Sequence, residues 1–122
     1  MIDLINKTEQ GHRMMERYYC PPFFSADISG ADHSEERVVI EDLSLRGMKA
    51  RTTTGFEKGC DVKIKLVSNY SAPVQIHARV KWMIPPEDEG STYLIGFLIT
   101  KVRIVDWLRF LKIIGQIKKE VW

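Results

Sequence analysis

Residues 61–68, DVKIKLVS, put Val62, Ile64 and Leu66 on one side and Lys63 and Lys65 on the other. A period of two is the mark of a half-buried strand. Residues 74–84, VQIHARVKWMI, repeat it, with Val74, Ile76, Ala78, Val80 and Trp82 on one face. Weaker alternation and β-branched residues predict strands over 23–28 (FFSADI), 37–44 (RVVIEDLS), 47–54 (GMKARTTT) and 91–102 (STYLIGFLITKV). SGADHSEE, SNYSAP and PPEDEG, between these runs, are made of turn-forming residues. Gly96 interrupts the last strand and predicts a bulge or a close backbone approach there. From residue 103 the period becomes helical. Ile104, Leu108, Leu111, Ile114 and Ile117 or Val121 form one stripe, widened by Trp107, Phe110 and Ile113. Lys118 and Lys119 suit the negative pole of such a helix.

Six short strands and one helix predict a mainly β fold. The expectation is a small six-stranded antiparallel barrel whose open end is covered by a C-terminal α-helix. Closing the sheet would remove its exposed edges. The whole is one domain: residues 1–19 as an N-terminal arm, 20–103 as the barrel and 104–122 as the helix. Cys20-Pro21-Pro22 forces an extended entry into the first strand. The apolar stripe is wider than a half-buried helix needs, so part of it is left for a second copy or a partner protein.

Composition narrows the function. The chain has 122 residues, 44% hydrophobic and 28% charged, with a formal net charge of +2. That balance gives no bulk affinity for nucleic acid, so any anion site must come from local placement of Arg and Lys. No apolar run approaches the ~20 residues that cross a bilayer, and no secretory signal precedes the strands. The expected location is the cytoplasm, without membrane insertion. Cys20 and Cys60 lie in no C-x-x-C and read as free thiols. His12, His33 and His77 are scattered, which predicts no metal site. No catalytic motif is present, and Glu87-Asp88-Glu89 reads as a solvated turn, so no catalytic residue is assigned and the chain is not expected to be an enzyme.

Two patterns carry chemistry. His12-Arg13-Met14-Met15-Glu16-Arg17 contains R-x-x-x-R. Twenty-odd residues later, Asp42-Leu43-Ser44-Leu45-Arg46-Gly47 reads D-x-S-x-x-G. If the strand continues through this stretch, Asp42 and Ser44 share a face. A carboxylate can accept from the N–H groups of a guanine edge, and a hydroxyl adds a donor or acceptor beside it. Glycine at 47 removes a side chain where a base must approach backbone. Arginine forks onto phosphate oxygens or guanine O6 and N7, and its flat face stacks on a base. A second Asp-x-Ser lies at Asp27-Ile28-Ser29, but Asp32 stands where the glycine should be. That stretch reads as a hairpin turn.

R-x-x-x-R followed at this distance by (D/N)-x-S-x-x-G resembles the signature of PilZ domains, bacterial receptors for cyclic di-GMP. Trp82 closing one strand and Gly96-Phe97 in the next are similar to the family's later region, and the barrel-then-helix order agrees. The resemblance implies a PilZ-like split barrel with no cofactor, whose ligand is cyclic di-GMP. It implies that Arg13 and Arg17 clamp phosphates and guanine edges, that Asp42 and Ser44 contact a guanine, and that Gly47 permits the approach. Arg46 is not a motif position. The resemblance further implies an arm that orders over the barrel on binding and a partner protein that reads the change, controlling motility, adhesion or exopolysaccharide output. Met48 follows Gly47 where a second small residue is common, and either crowds the pocket or packs inward. A rival register starting at Glu16-Arg17 would break the clamp. The protein would then be a PilZ-like interaction module that does not bind cyclic di-GMP. The same elements would also suit an unrelated flavin- or phosphate-binding barrel, or a nucleic-acid-binding barrel. Aromatics at core-like positions count against the last.

Overall fold

A computed structural model describes residues 2–3, 18–19, 24–69, 71–88 and 90–121. Eight strands and one helix lie among them, in the order β1 (Ile2–Asp3), β2 (Tyr18–Tyr19), β3 (Ser25–Ser29), β4 (Ser34–Leu43), β5 (Gly47–Thr52), β6 (Asp61–Val67), β7 (Val74–Ile84), β8 (Tyr93–Val102) and α1 (Ile104–Val121). Strands β8, β5, β4, β3, β6 and β7 pair in that order, all antiparallel, and β7 pairs back onto β8. The predicted six-stranded barrel is therefore closed. The two shortest strands lie outside the ring. Strand β1 pairs Ile2 with Val102, and β2 pairs Tyr18 with Leu43 and Tyr19 with Asp42.

Alternation explains most of the packing. Val62, Ile64 and Leu66 point inward from β6, and Val74, Ile76, Ala78 and Val80 from β7. They meet Ile95, Phe97 and Ile99 of β8 in a single core. Trp82 is only half-buried, and its place is set by Gly96, its cross-strand partner. A Cβ on Gly96 would stand 2.2 Å from Trp82 Cε2, so the glycine is what lets the indole lie on the strand. Here the close approach expected from the sequence is found.

Some boundaries move. Strand β3 ends at Ser29 and β4 begins at Ser34, so the turn cluster shrinks to residues 30–33. Glu35 lies early in β4 and holds the far end of β5. Its carboxylate accepts from the Thr53 and Thr54 amides at 2.8 and 3.0 Å and from the Thr54 hydroxyl at 2.9 Å. Burial alone would raise this carboxyl, but the hydrogen bonds outweigh it and hold it below its ordinary value. Cys60 is a free thiol, raised by burial and then by the nearby Glu57 and Asp61 charges. Cys20 lies outside the described residues.

The helix corrects the predicted stripe. Asp106, in its first turn, is 1% exposed and accepts from the Gln75 amide of β7 at 3.2 Å and from Arg103 Nε at 3.0 Å. That anchor fixes the rotation of α1. Phe110, Ile113 and Ile117 share its face and are fully buried, with Ile114 beside them. Ile104 and Leu108 lie on the other side, 62% and 61% exposed, and Leu111 and Val105 are exposed with them. The periodicity pattern could not supply this rotation, because an aspartate, not an apolar residue, defines the buried face. Beyond its seat on β7, α1 packs against β2.

Candidate functional site

The D-x-S-x-x-G stretch forms the end of β4, a tight turn and the start of β5. Its geometry begins with a bulge. Ile40 pairs with Ala50 but Asp42 pairs with Lys49, so two steps along β4 answer one along β5. The extra residue reverses the alternation. Val38 and Ile40 point into the core, and after the bulge Leu43 points inward against Met48. Asp42 is thereby placed on the outer wall with Lys49. In phase with Ile40 it would have entered the core, where an ionised carboxylate is very costly.

Although it faces outward, Asp42 is only 5% exposed. Its Oδ2 lies 3.2 Å from Lys49 Nζ, which is also 3.9 Å from Glu41 Oε1. Glu41 also pairs with Arg51. On the opposite edge, Asp42 is registered with Tyr19 of β2. The carboxylate thus stands beside a lysine of β5, on a residue whose other register partner belongs to β2.

Ser44 lies one residue past the end of β4, so the strand argument that aligned it with Asp42 stops short of it. Its amide donates to Gly47 O at 2.9 Å. Its hydroxyl accepts from the amides of Arg46 at 3.3 Å and Gly47 at 3.1 Å, and donates to Gly47 O at 3.3 Å. The side chain is buried and satisfies turn amides that would otherwise lack partners. Gly47 is buried and opens β5, paired with Leu98 of β8. Met48 is 2% exposed and packs into the core, so it does not crowd the outer wall.

Arg46 lies in the same turn. Its carbonyl accepts from the Ile99 amide at 2.8 Å, so its backbone is tied at both ends. Its side-chain Nε and Nη1 are buried and have no hydrogen-bond partner among the described residues.

The structure thus brings Asp42, Ser44 and Gly47 together on one hairpin. Arg13 and Arg17 lie outside the described residues. Tyr18, bonded to Arg17 in the chain, is the residue paired with Leu43. Lys49 was not picked out as a site group from sequence, and Arg46 was set outside the motif there, as no more than a source of local positive potential. The adjacent Glu41-Asp42, two polar residues in succession within an alternating strand, was the available signal for the bulge that brings Lys49 opposite Asp42. Among the described residues, no three His, Cys, Asp or Glu side chains gather as a metal site. Glu87 and Asp88 are exposed in the β7–β8 connection. No helix among the described residues is long and apolar enough to cross a membrane.

A family model described as "PilZ domain" matches residues 11–114. No curated protein matches the chain. Among solved structures, the chain is similar to MrkH of K. pneumonia in its complex with c-di-GMP, with a TM-score of 0.71 and 19% identity over 88% of this chain and 52% of that one. It is similar to the PilZ domain of YcgR from Escherichia coli with c-di-GMP, at 0.68 and 20% over 88% and 92%. The inhibitor of motility MotI/DgrA of Bacillus subtilis gives 0.64 and 14% over 88% and 52%. The chain spans about half the length of MrkH and of MotI/DgrA.

Proposed function

This chain belongs to the PilZ domain family, and we propose that it is a non-enzymatic receptor for cyclic di-GMP. The observation that carries the reading is the placement of Asp42. A desolvated carboxylate stands on the outer wall of the barrel, beside the strand that directly follows Arg17. A guanine edge offers adjacent N–H donors that one carboxylate can accept together. Arg13 and Arg17 carry the complementary charge and clamp the phosphates and the other guanine edges. Gly47 leaves room for the base. Ser44, whose hydroxyl is engaged with Gly47 O and the Arg46 and Gly47 amides, holds the turn that presents Asp42. Two of the similar solved structures hold c-di-GMP, which supports the choice of ligand.

Binding changes the conformation of the receptor as the segment bearing Arg13 and Arg17 engages the ligand beside Asp42. Helix α1 packs against β2 and so senses that segment. Its exposed Ile104, Leu108 and Leu111 are the surface offered to a partner protein or a second copy. Through that contact the receptor acts in the cytoplasm on motility, adhesion or exopolysaccharide output.

Calorimetric titration with cyclic di-GMP tests this. Saturable heat is expected, and Arg17→Ala should weaken binding roughly hundredfold, the value of about two charge-assisted hydrogen bonds. Lys63→Ala, on the exposed face of β6, should leave it unchanged. A folded protein that gives no heat at high ligand concentration removes the receptor reading. The exposed face of α1 also supports a second reading, an interaction module that binds no nucleotide. Light scattering would then show the same self-association with and without cyclic di-GMP.

A further inference from the structure

We infer that Arg46 is a phosphate-binding residue of this site, a third arginine that the R-x-x-x-R and D-x-S-x-x-G patterns do not include. The inference rests on the receptor reading for the identity of the ligand, though not for the anionic chemistry. Arginine stays charged at every physiological pH and carries five N–H donors. Taking such a group out of water without partners is costly, and proteins avoid it. Yet Arg46 Nε and Nη1 are both buried, and neither has a partner among the described residues. The nearby acidic groups pair elsewhere: Asp42 with Lys49, and Glu41 with Lys49 and Arg51.

The backbone beneath this side chain is fixed. The Arg46 amide is held by Ser44 Oγ and its carbonyl by the Ile99 amide. So a half-buried guanidinium with two unpartnered nitrogens is mounted on the same turn that carries Ser44 and Gly47, a few residues from Asp42. An oxyanion with several acceptor oxygens can satisfy separated donors at once, and a ligand with two phosphodiesters supplies one beside a guanine. Two donors that lack partners in the folded protein then gain them on ligand binding.

Effects of opposite sign separate this role from a structural one. Arg46→Met keeps length and removes charge. Its melting temperature without ligand should equal or exceed that of the parent, while its affinity for cyclic di-GMP falls about tenfold to a hundredfold. Arg46→Lys should recover part of that loss. Parent-like affinity in Arg46→Met overturns the inference, as does a lower melting temperature with a matching loss of binding. If the parent chain binds no cyclic di-GMP, the receptor reading fails, and inorganic pyrophosphate then decides for Arg46. Raised melting temperature with pyrophosphate in the parent but not in Arg46→Met keeps the phosphate assignment, and no difference between them ends it.

Discussion

The barrel contains Asp-x-Ser twice, each time at the end of a strand that turns back on itself. At Asp27-Ile28-Ser29 the carboxylate accepts from the Arg37 amide at 3.0 Å, across a bulge where Arg37 takes a positive φ of 56°. Ser29 is exposed, and Gly30 closes the turn by donating to His33 O at 2.9 Å. At Asp42-Leu43-Ser44 the carboxylate is buried beside Lys49, and the serine hydroxyl is folded onto its own turn. Both hairpins contain a bulge on β4, but the bulges do different work. The first uses its aspartate to pin the irregular backbone. The second throws its aspartate onto the wall, next to β2. Identical local chemistry becomes a candidate site only where a bulge sets the facing direction and the carboxylate is buried next to a neighbouring strand.

The sharpest way to break this comparison is to remove each carboxylate. Asp42→Ala should weaken cyclic di-GMP binding roughly hundredfold, since charged hydrogen bonds are worth about 1.5–3 kcal/mol each. Asp27→Ala should leave titration curves within about twofold of the parent. Equal losses from the two would show that the second hairpin has no special standing. The serines should differ in stability. Ser44→Ala strands the Arg46 and Gly47 amides and should cost about 1–3 kcal/mol in denaturant melts. Ser29→Ala, at an exposed position, should stay within about 0.5 kcal/mol. If Ser44→Ala is as harmless as Ser29→Ala, the hydroxyl is not what holds the turn.

Much of this was legible in the chain. Period-two alternation set six strands because one face of each is core, and the order of strands and helix carried the barrel. Gly96 was readable because a glycine inside a strand has few other causes. The hairpin reading of residues 25–33 rested on Asp32 standing in the glycine's place, and residues 30–33 do form its turn. What escaped was set by contacts that leave no periodic trace. A bulge at Glu41 shifts a register by one residue, and Lys49 then faces Asp42. The rotation of α1 follows from one buried aspartate on a β7 amide, so Ile104, Leu108 and Leu111 fall outward despite their spacing. The pairing of β2 with Asp42 and Leu43 joins residues more than twenty apart, one of them in an arm with no strand pattern.

The smallest expected effect concerns the open end of the β4–β5 pair, away from the Asp42 turn. Glu35 lies just past the residue 30–33 turn, and its hydrogen bonds to Thr53 and Thr54 hold its carboxyl below the ordinary 4.5. A carboxyl lowered in the folded state stabilises the fold above its unfolded pKa, and that contribution disappears as pH falls through the lower folded value. The parent should therefore lose stability between about pH 4.5 and the lower folded pKa, beyond what other groups cause. Glu35→Gln should be less stable than the parent at pH 7, and the gap should narrow as the pH drops through that window. Denaturant melts of both proteins from pH 7 to pH 3 make the measurement. A gap that stays constant across the series would mean that Glu35 acts by packing and not by charge. The Asp42 turn should show no change in this comparison, because Glu35 lies at the opposite end of β4 from it.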